Sequence, residues 1–395
     1  MQTRVERHIK INAPDIDDIC FRSKNLYNKA NYLIRQEFIN NGKWIRYNEL
    51  DKIAQKWPEY KKLPAQTSQQ ILKLLDINWK SFFRAIKVWA KNPERFDGRP
   101  KLPKYKHKIK GRNIVVFTKQ QCRIKDGFIH FPKKANLAPL RTKVDNLRQV
   151  RIAPQATCMV MEVVYQINIE KAETDENNIL AIDLGINNLA TLVNNIGEQP
   201  IIINGRPLKS MNQFFHKQRA LFQSWVGDKG TSNRIKRLTH KRNMKINDYL
   251  HKTSAFIRSY CIDHRIGTVI IGKNNGWKQS IELGKKNNQN FVSIPFNTLI
   301  QQLKYKLGDI GIKVIIIEES YTSKVDHFAL ESLDHHDVYL GKRIKRGLFQ
   351  SSIGKLLNAD VNGALGIFRK VAGDVCFKEL ISRGQALSPV RFSIS

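Results

Sequence analysis

The chain has 395 residues and a formal net charge of +34. At roughly 150 residues per domain, that length suits two or three domains, and 41% hydrophobic residues supply their cores and exclude wholesale disorder. The charge excludes an ordinary small-molecule enzyme and calls for a polyanionic partner, with nucleic acid the first candidate. No apolar run approaches the roughly 18 residues of a membrane-spanning helix. The opening Met-Gln-Thr-Arg-Val-Glu has no signal-peptide core, so a cytoplasmic location without membrane contact is expected. Cys20, Cys122, Cys158, Cys261 and Cys376 form no CxxC pair. They read as buried small hydrophobes and signal neither disulfides nor zinc.

In chain order, residues 2–12 alternate loosely, as a strand does. Residues 15–39 are helical by the spacing of Ile19, Leu26, Ala30, Leu33 and Phe38. Pro64 opens a second helical stretch over 66–89, whose Ile71, Leu75, Trp79, Phe82 and Phe83 read as core. Between Asp97 and Asp126 there is no acidic residue, while Arg99, Lys101, Lys104, Lys106 and further basic residues recur around Tyr105. Uncompensated charges at that density repel one another unless a polyanion lies along them, so this strap is a candidate nucleic-acid contact. Short strands follow over 114–117, 128–131, 147–152 and 157–167. They predict a small β-barrel or curled sheet with the two helical stretches inserted after its first strand. The polar stretch 173–178 reads as a linker. Beyond it come strands over 178–183, 189–193 and 200–203, then a basic helical region over about 208–264 that breaks near 227–232. A strand (267–271), a helix (295–307), a strand (313–317) and a helix (358–371) complete an α/β layer arrangement.

Two carboxylates stand apart. Asp183 ends the apolar run Ile179-Leu-Ala-Ile-Asp-Leu-Gly, and a carboxylate ending a buried strand is costly unless it is paired or binds a metal. Asp360, in Asn358-Ala-Asp-Val-Asn-Gly-Ala, opens a helix, where an Asp also satisfies free backbone N–H groups.

Together these segments carry a resemblance. Ala181-Ile-Asp-Leu-Gly-Ile-Asn-Asn-Leu-Ala-Thr resembles the first motif of a RuvC-type nuclease domain, in the version of the TnpB family of transposon-encoded proteins, relatives of the type V CRISPR effectors. Asn358-Ala-Asp-Val-Asn-Gly-Ala-Leu is similar to that family's last motif. Tyr321-Thr-Ser-Lys resembles the segment that opens its zinc ribbon. Gly98-Arg-Pro-Lys-Leu-Pro-Lys and Gly341-Lys-Arg-Ile-Lys-Arg-Gly-Leu also match one branch of it. The resemblance implies an α+β multidomain protein. A wedge-type β-barrel (1–13 and 94–172) would carry a helical recognition insert (14–93). A linker (173–178), an RNase H-like RuvC domain (179–372, with a helical insert at about 208–264) and a C-terminal tail (373–395) would follow. It implies an RNA-guided, Mg²⁺- or Mn²⁺-dependent DNA endonuclease. The guide RNA would derive from the transposon end, and double-stranded DNA would be cut beside a short adjacent motif. Such a protein would act in a prokaryotic cytoplasm, associated with the nucleoid. Asp183 and Asp360 would be catalytic metal ligands, because two divalent ions served by hard oxygens can activate water and stabilise the leaving oxyanion. Gln66, Gln69 and Gln70 would be readers of the adjacent motif, since Gln pairs bidentately with adenine. Arg99, Lys101, Lys104, Tyr105, Lys106, Lys342, Arg343, Lys345 and Arg346 would be further nucleic-acid contacts.

The sequence departs from the family pattern at three places. The usual third carboxylate closes the fourth strand, but here Thr268-Val-Ile-Ile-Gly-Lys ends in Gly272 and Lys273. The next strand, Val314-Ile-Ile-Ile-Glu-Glu, ends in Glu318 and Glu319, of which only one can face the metal site because successive strand side chains face opposite sides. A relocated acid at Glu318 or Glu319 is therefore expected; the alternative is an RNA-guided DNA-binding protein that no longer cuts and acts as repressor or transposon regulator. Val325, Asp326 and His327 stand where zinc-ribbon cysteines would, and no zinc is expected. Gly366 replaces a more usual Asn.

Overall fold

The computed structural model covers residues 2–394 apart from 169, 228–229, 275–288, 290–291, 346 and 383. Arg346 therefore lies outside the described residues. The chain divides into two compact units, Met1–Asn168 and Ile169–Ser395.

In the first unit, β1 (Gln2–Lys10) leads into α1 (Pro14–Asn41), α2 (Tyr47–Ala54), α3 (Pro58–Lys61) and α4 (Ala65–Lys91). Gly42, at φ 64°, ends α1 and returns its N–H to the Phe38 carbonyl at 3.1 Å. The chain then forms β2 (Val115–Thr118), β3 (Arg123–Lys125), β4 (Phe128–His130), β5 (Leu140–Arg141), β6 (Leu147–Pro154) and β7 (Met159–Ile167). An antiparallel sheet runs β1-β7-β6-β2, and a smaller one runs β3-β4-β5. The expected barrel is thus an open sheet with β1 and β2 at its edges. The inserted helices supply its cover: Ile19 and Leu26 of α1 and Trp79 of α4 share one core with Phe117, Val150 and Val163.

The second unit is built on a six-stranded sheet. Its strands are β8 (Asp175–Leu184), β9 (Asn188–Asn194), β10 (Ile201–Asn204), β11 (Ile266–Gly272), β12 (Lys313–Ile317) and, beyond β13 (Lys342–Lys345), β14 (Leu348–Gln350) and β15 (Leu356–Asn358), the C-terminal β16 (Val390–Phe392). The order is β12-β11-β8-β9-β10-β16. β8, β9 and β10 form an antiparallel meander, and β11 and β12 add in parallel beside β8. The basic region is a hairpin of α5 (Arg206–Ser224) and α6 (Asn233–Asp263), whose second arm Ser232 caps by accepting from the Ile235 N–H. Helix α7 (Phe296–Gly308) connects β11 to β12, and α8 (Ala359–Ser382) is broken at Gly373.

Two expected boundaries shift. The linker 173–178 is largely strand, because β8 starts at Asp175, where the Asp175 N–H donates to the Arg265 carbonyl and Thr268 donates to the Glu176 carbonyl. The tail 373–395 belongs to the fold: β16 pairs parallel with β10 and satisfies an otherwise open sheet edge, and Phe392 stacks on Phe256 at 4.1 Å.

The central strands β9 and β11 are buried along their whole length, and the sheet is covered on both faces. Leu180, Ile182 and Leu184 pack with α6 and α7, and Ala181 and Ile270 pack with α8. Among the described residues no helix is long and apolar enough to cross a membrane.

Candidate active site

The period-two alternation of β8 fixes the direction of Asp183: it shares the face of Ala181, against α8. Helix α8 approaches closely there because Gly363 has no side chain; a Cβ at that position would lie 2.7 Å from Asp183 Oδ2. Asp360 sits three residues earlier, in the first turn of α8, where Asn358 Oδ1 accepts from the Asp360 and Val361 N–H groups. The Asp360 carboxylate accepts from Asn188 Nδ2 at 2.6 Å. Asn188 is buried at the start of β9. It orients Asp360, a role the sequence reading missed.

Glu318 and Glu319 separate as strand alternation requires. Ile317 packs on the α8 side of the sheet, and Glu319, two residues on, keeps that side. Glu318 is exposed, and its carbonyl accepts from Lys370 Nζ. Asn274 Oδ1 holds the Glu319 N–H at 3.0 Å. The Glu319 carboxylate lies over Gly272, the last residue of β11: a Cβ on Gly272 would lie 2.5 Å from Glu319 Oε2 and 2.4 Å from Ile367 Cδ1. The absent side chain at the end of β11 thus leaves the volume that the acid from β12 enters.

The electrostatics mark these groups as uncompensated. Burial holds Asp183 well above the usual carboxylate range, and the Glu319 and Asp360 charges add to it, against the Leu184 N–H and Arg343. Burial pushes Glu319 up to about 7 despite Lys370 nearby. Its Oε2 is buried without a hydrogen-bond partner. Desolvated hard oxygens with unbalanced negative charge fit a divalent cation. Among the described residues, no three His, Cys, Asp or Glu side chains already stand close enough to hold one together.

The remaining predicted residues fall in two regions. Lys342, Arg343 and Lys345 line the fully exposed strand β13, and Arg343 is near enough to lower the Asp183 pKa. In the first unit, the strap at 99–112 is tied to α1 through its backbone: Asn28 bonds both N–H and carbonyl of Lys106, and Asn31 and Arg35 donate to the Pro103 carbonyl. That leaves Arg99, Lys101, Lys104, Tyr105 and Lys106 exposed. Gln66 is engaged within the unit, donating to Gln120 Oε1 and accepting from Thr118. Gln69 interacts with Tyr60, and Gln70 is half-buried.

Where a zinc ribbon would stand, side chains make the ties. Asp326 accepts from the Ser352 N–H and from the Ser351 and Ser352 hydroxyls at 2.6–2.9 Å. Glu331 accepts from the Asp326 and Leu340 N–H groups. His327 is buried, with Nε2 donating to the Thr322 carbonyl at 2.7 Å, and burial lowers its pKa to about 4. A Cβ on Gly366 would lie 2.7 Å from both His327 Nε2 and Thr322 Cβ, which accounts for the glycine.

Comparison with known proteins places this arrangement. A family profile described as "Probable transposase" matches residues 160–278, and one described as "Cas12f1-like, TNB domain" matches 296–367. The TnpB-like protein ORF457 of Acidianus two-tailed virus is 24% identical over 400 residues, covering 89% of this chain and 82% of that protein. In these matches the chain is similar to the TnpB family. Between them the two profiles include Asp183, Glu318, Glu319 and Asp360. Among solved structures, the fold is similar to that of Cas12f1 in a Cas12f1–sgRNA–target DNA complex, with a TM-score of 0.50 at 14% identity, covering 93% of this chain and 98% of the other. A CRISPR-Cas12f ternary complex is more distant, at a TM-score of 0.38 with 14% identity, 90% of this chain and 82% of the other.

Proposed function

We propose that this chain is a TnpB-type, transposon-associated, RNA-guided DNA endonuclease whose RuvC-type site is formed by Asp183, Asp360 and the relocated Glu319. The observation that carries the reading is the convergence of carboxylates from β8, α8 and the end of β12, with one Glu319 oxygen buried and unpartnered. Nothing in folding rewards desolvating Asp183 and Glu319 together, whereas hydrolysis of a phosphodiester needs such a donor set. Asp183, Glu319 and Asp360 would hold Mg²⁺ or Mn²⁺, which when bound supplies Lewis-acid activation at the scissile phosphate. The protein's own residues orient and shield: Asn188 fixes the Asp360 carboxylate, Asn274 fixes the Glu319 backbone, and Ile367 closes the space over Gly272. Arg343 and its neighbours on β13 offer cations for a phosphate backbone beside the acids.

The first unit would serve as the wedge and recognition part, with the strap along α1 presenting its basic side chains to nucleic acid. Two relatives support the partners: a Cas12f1 structure is named as a complex with sgRNA and target DNA, and the curated relative is TnpB-like. The test is purification with co-expressed flanking RNA, followed by plasmid cleavage with and without Mg²⁺. RNA-dependent cutting that chelation stops is the expected result. Guided binding without cutting under any divalent ion points instead to the repressor or regulator reading.

A further inference from the structure

We propose that a groove between α1, α4 and the strap at 99–104 captures one unpaired nucleotide of a single-stranded RNA. The groove has a volume of about 480 Å³. Its floor is apolar, with Phe38, Phe82 and Leu102, and four cationic side chains rim it: Arg35, Arg99, Lys101 and Lys104. No carboxylate lines it. The floor is fixed in place, since Phe38 and Phe82 stand edge to face at 6.5 Å and both pack on Trp79. The rim is partly fixed as well: Arg35 donates to the Pro103 carbonyl at 3.0 Å and sits 5.1 Å from the Tyr105 ring centre.

An apolar, aromatic floor with cations at the rim has the chemistry to hold one base between flanking phosphates. It offers little to an acidic peptide, whose carboxylates would leave the floor unfilled. A DNA duplex keeps its bases stacked and presents no ring face. A folded RNA exposes unstacked bases in loops and bulges, so RNA is the committed occupant. With few edge groups to read, capture should tolerate any base. The inference deepens the RNA-guided reading, but stands whether or not the carboxylates cut.

The test uses the full-length protein, stripped of nucleic acid, and a short oligouridylate carrying 4-thiouridine. Cross-linking and peptide mapping should place the thiobase on the segments containing Phe38 or Phe82. Phe82→Leu should weaken binding roughly 5- to 150-fold, the range of one lost base stack, with the salt slope unchanged. Lys101→Gln should instead lower the slope by about 0.7. If Phe82→Leu fails to fold, Lys101→Glu on the exposed rim, which should abolish the cross-link, decides the matter. Cross-links that map elsewhere, an unaltered affinity in Phe82→Leu, or tighter binding of the matching oligodeoxynucleotide would overturn the proposal.

Discussion

A methyl group added at Gly272 would meet Glu319 Oε2 at 2.5 Å and Ile367 Cδ1 at 2.4 Å, so Gly272→Ala must displace one of them. The carboxylate is the softer element, and a shift of about 1 Å in a reacting constellation costs roughly 100-fold. Cleavage by Gly272→Ala should therefore fall by about that factor, measured as a single-turnover rate, while RNA binding is kept. The charge of Glu319 also leaves a mark on stability. Its folded-state pKa of about 7 lies above the ordinary 4.5, so its contribution is fully present below the unfolded value and is lost as pH rises through about 7. In chelator, Glu319→Gln should raise the melting temperature more at about pH 8 than at about pH 5. An equal shift at both pH values would mean that the carboxylate is solvated. Divalent-ion affinity should fall as pH drops below about 7, because protons compete for the same oxygens.

At the scale of elements, the parity of β12 was legible. Alternation from the Ile-rich run separates Glu318 from Glu319, though only the packing of Ile317 on the α8 side tells which one turns inward. Asp183 and Asp360 were legible because each sits at an element end with a short, specific motif. Asn188 was not, since its partner Asp360 is far away in sequence. Strand β16 was hidden for the same reason: three residues carry no period of their own, and their pairing with β10 spans most of the second unit. Gly366, a departure from the family pattern in the sequence, is explained only by the ring of His327 lying against it. The loop between β12 and β13 also yields a prediction. Burial alone would raise the Asp326 pKa, but hydrogen bonds from Ser352, Ser351 and the Ala329 N–H outweigh burial and depress it. Its stabilising contribution is therefore present at neutral pH and lost in acid. Asp326→Ala should cost about 3 kcal/mol by denaturant titration at neutral pH, since it strands several buried donors. A loss below about 1 kcal/mol would show that water replaces the carboxylate.

Over the whole molecule, a net charge of +34 makes binding to nucleic acid largely a matter of counterion release. Affinity for a single strand should fall with a log–log salt slope of about −0.7 for each phosphate neutralised. A flat response between low and moderate salt would contradict the basic surfaces as the binding faces. The assignment of the third acid is tested most directly by pairing Glu319→Gln with Glu318→Gln in the complete ribonucleoprotein. Target-plasmid cleavage and guided DNA binding are measured on the same preparations. Glu319→Gln should abolish cleavage and keep binding, and Glu318→Gln should cut at close to the wild-type rate. Undiminished cleavage by Glu319→Gln, or equal losses in both variants, would contradict the site built on Asp183, Glu319 and Asp360.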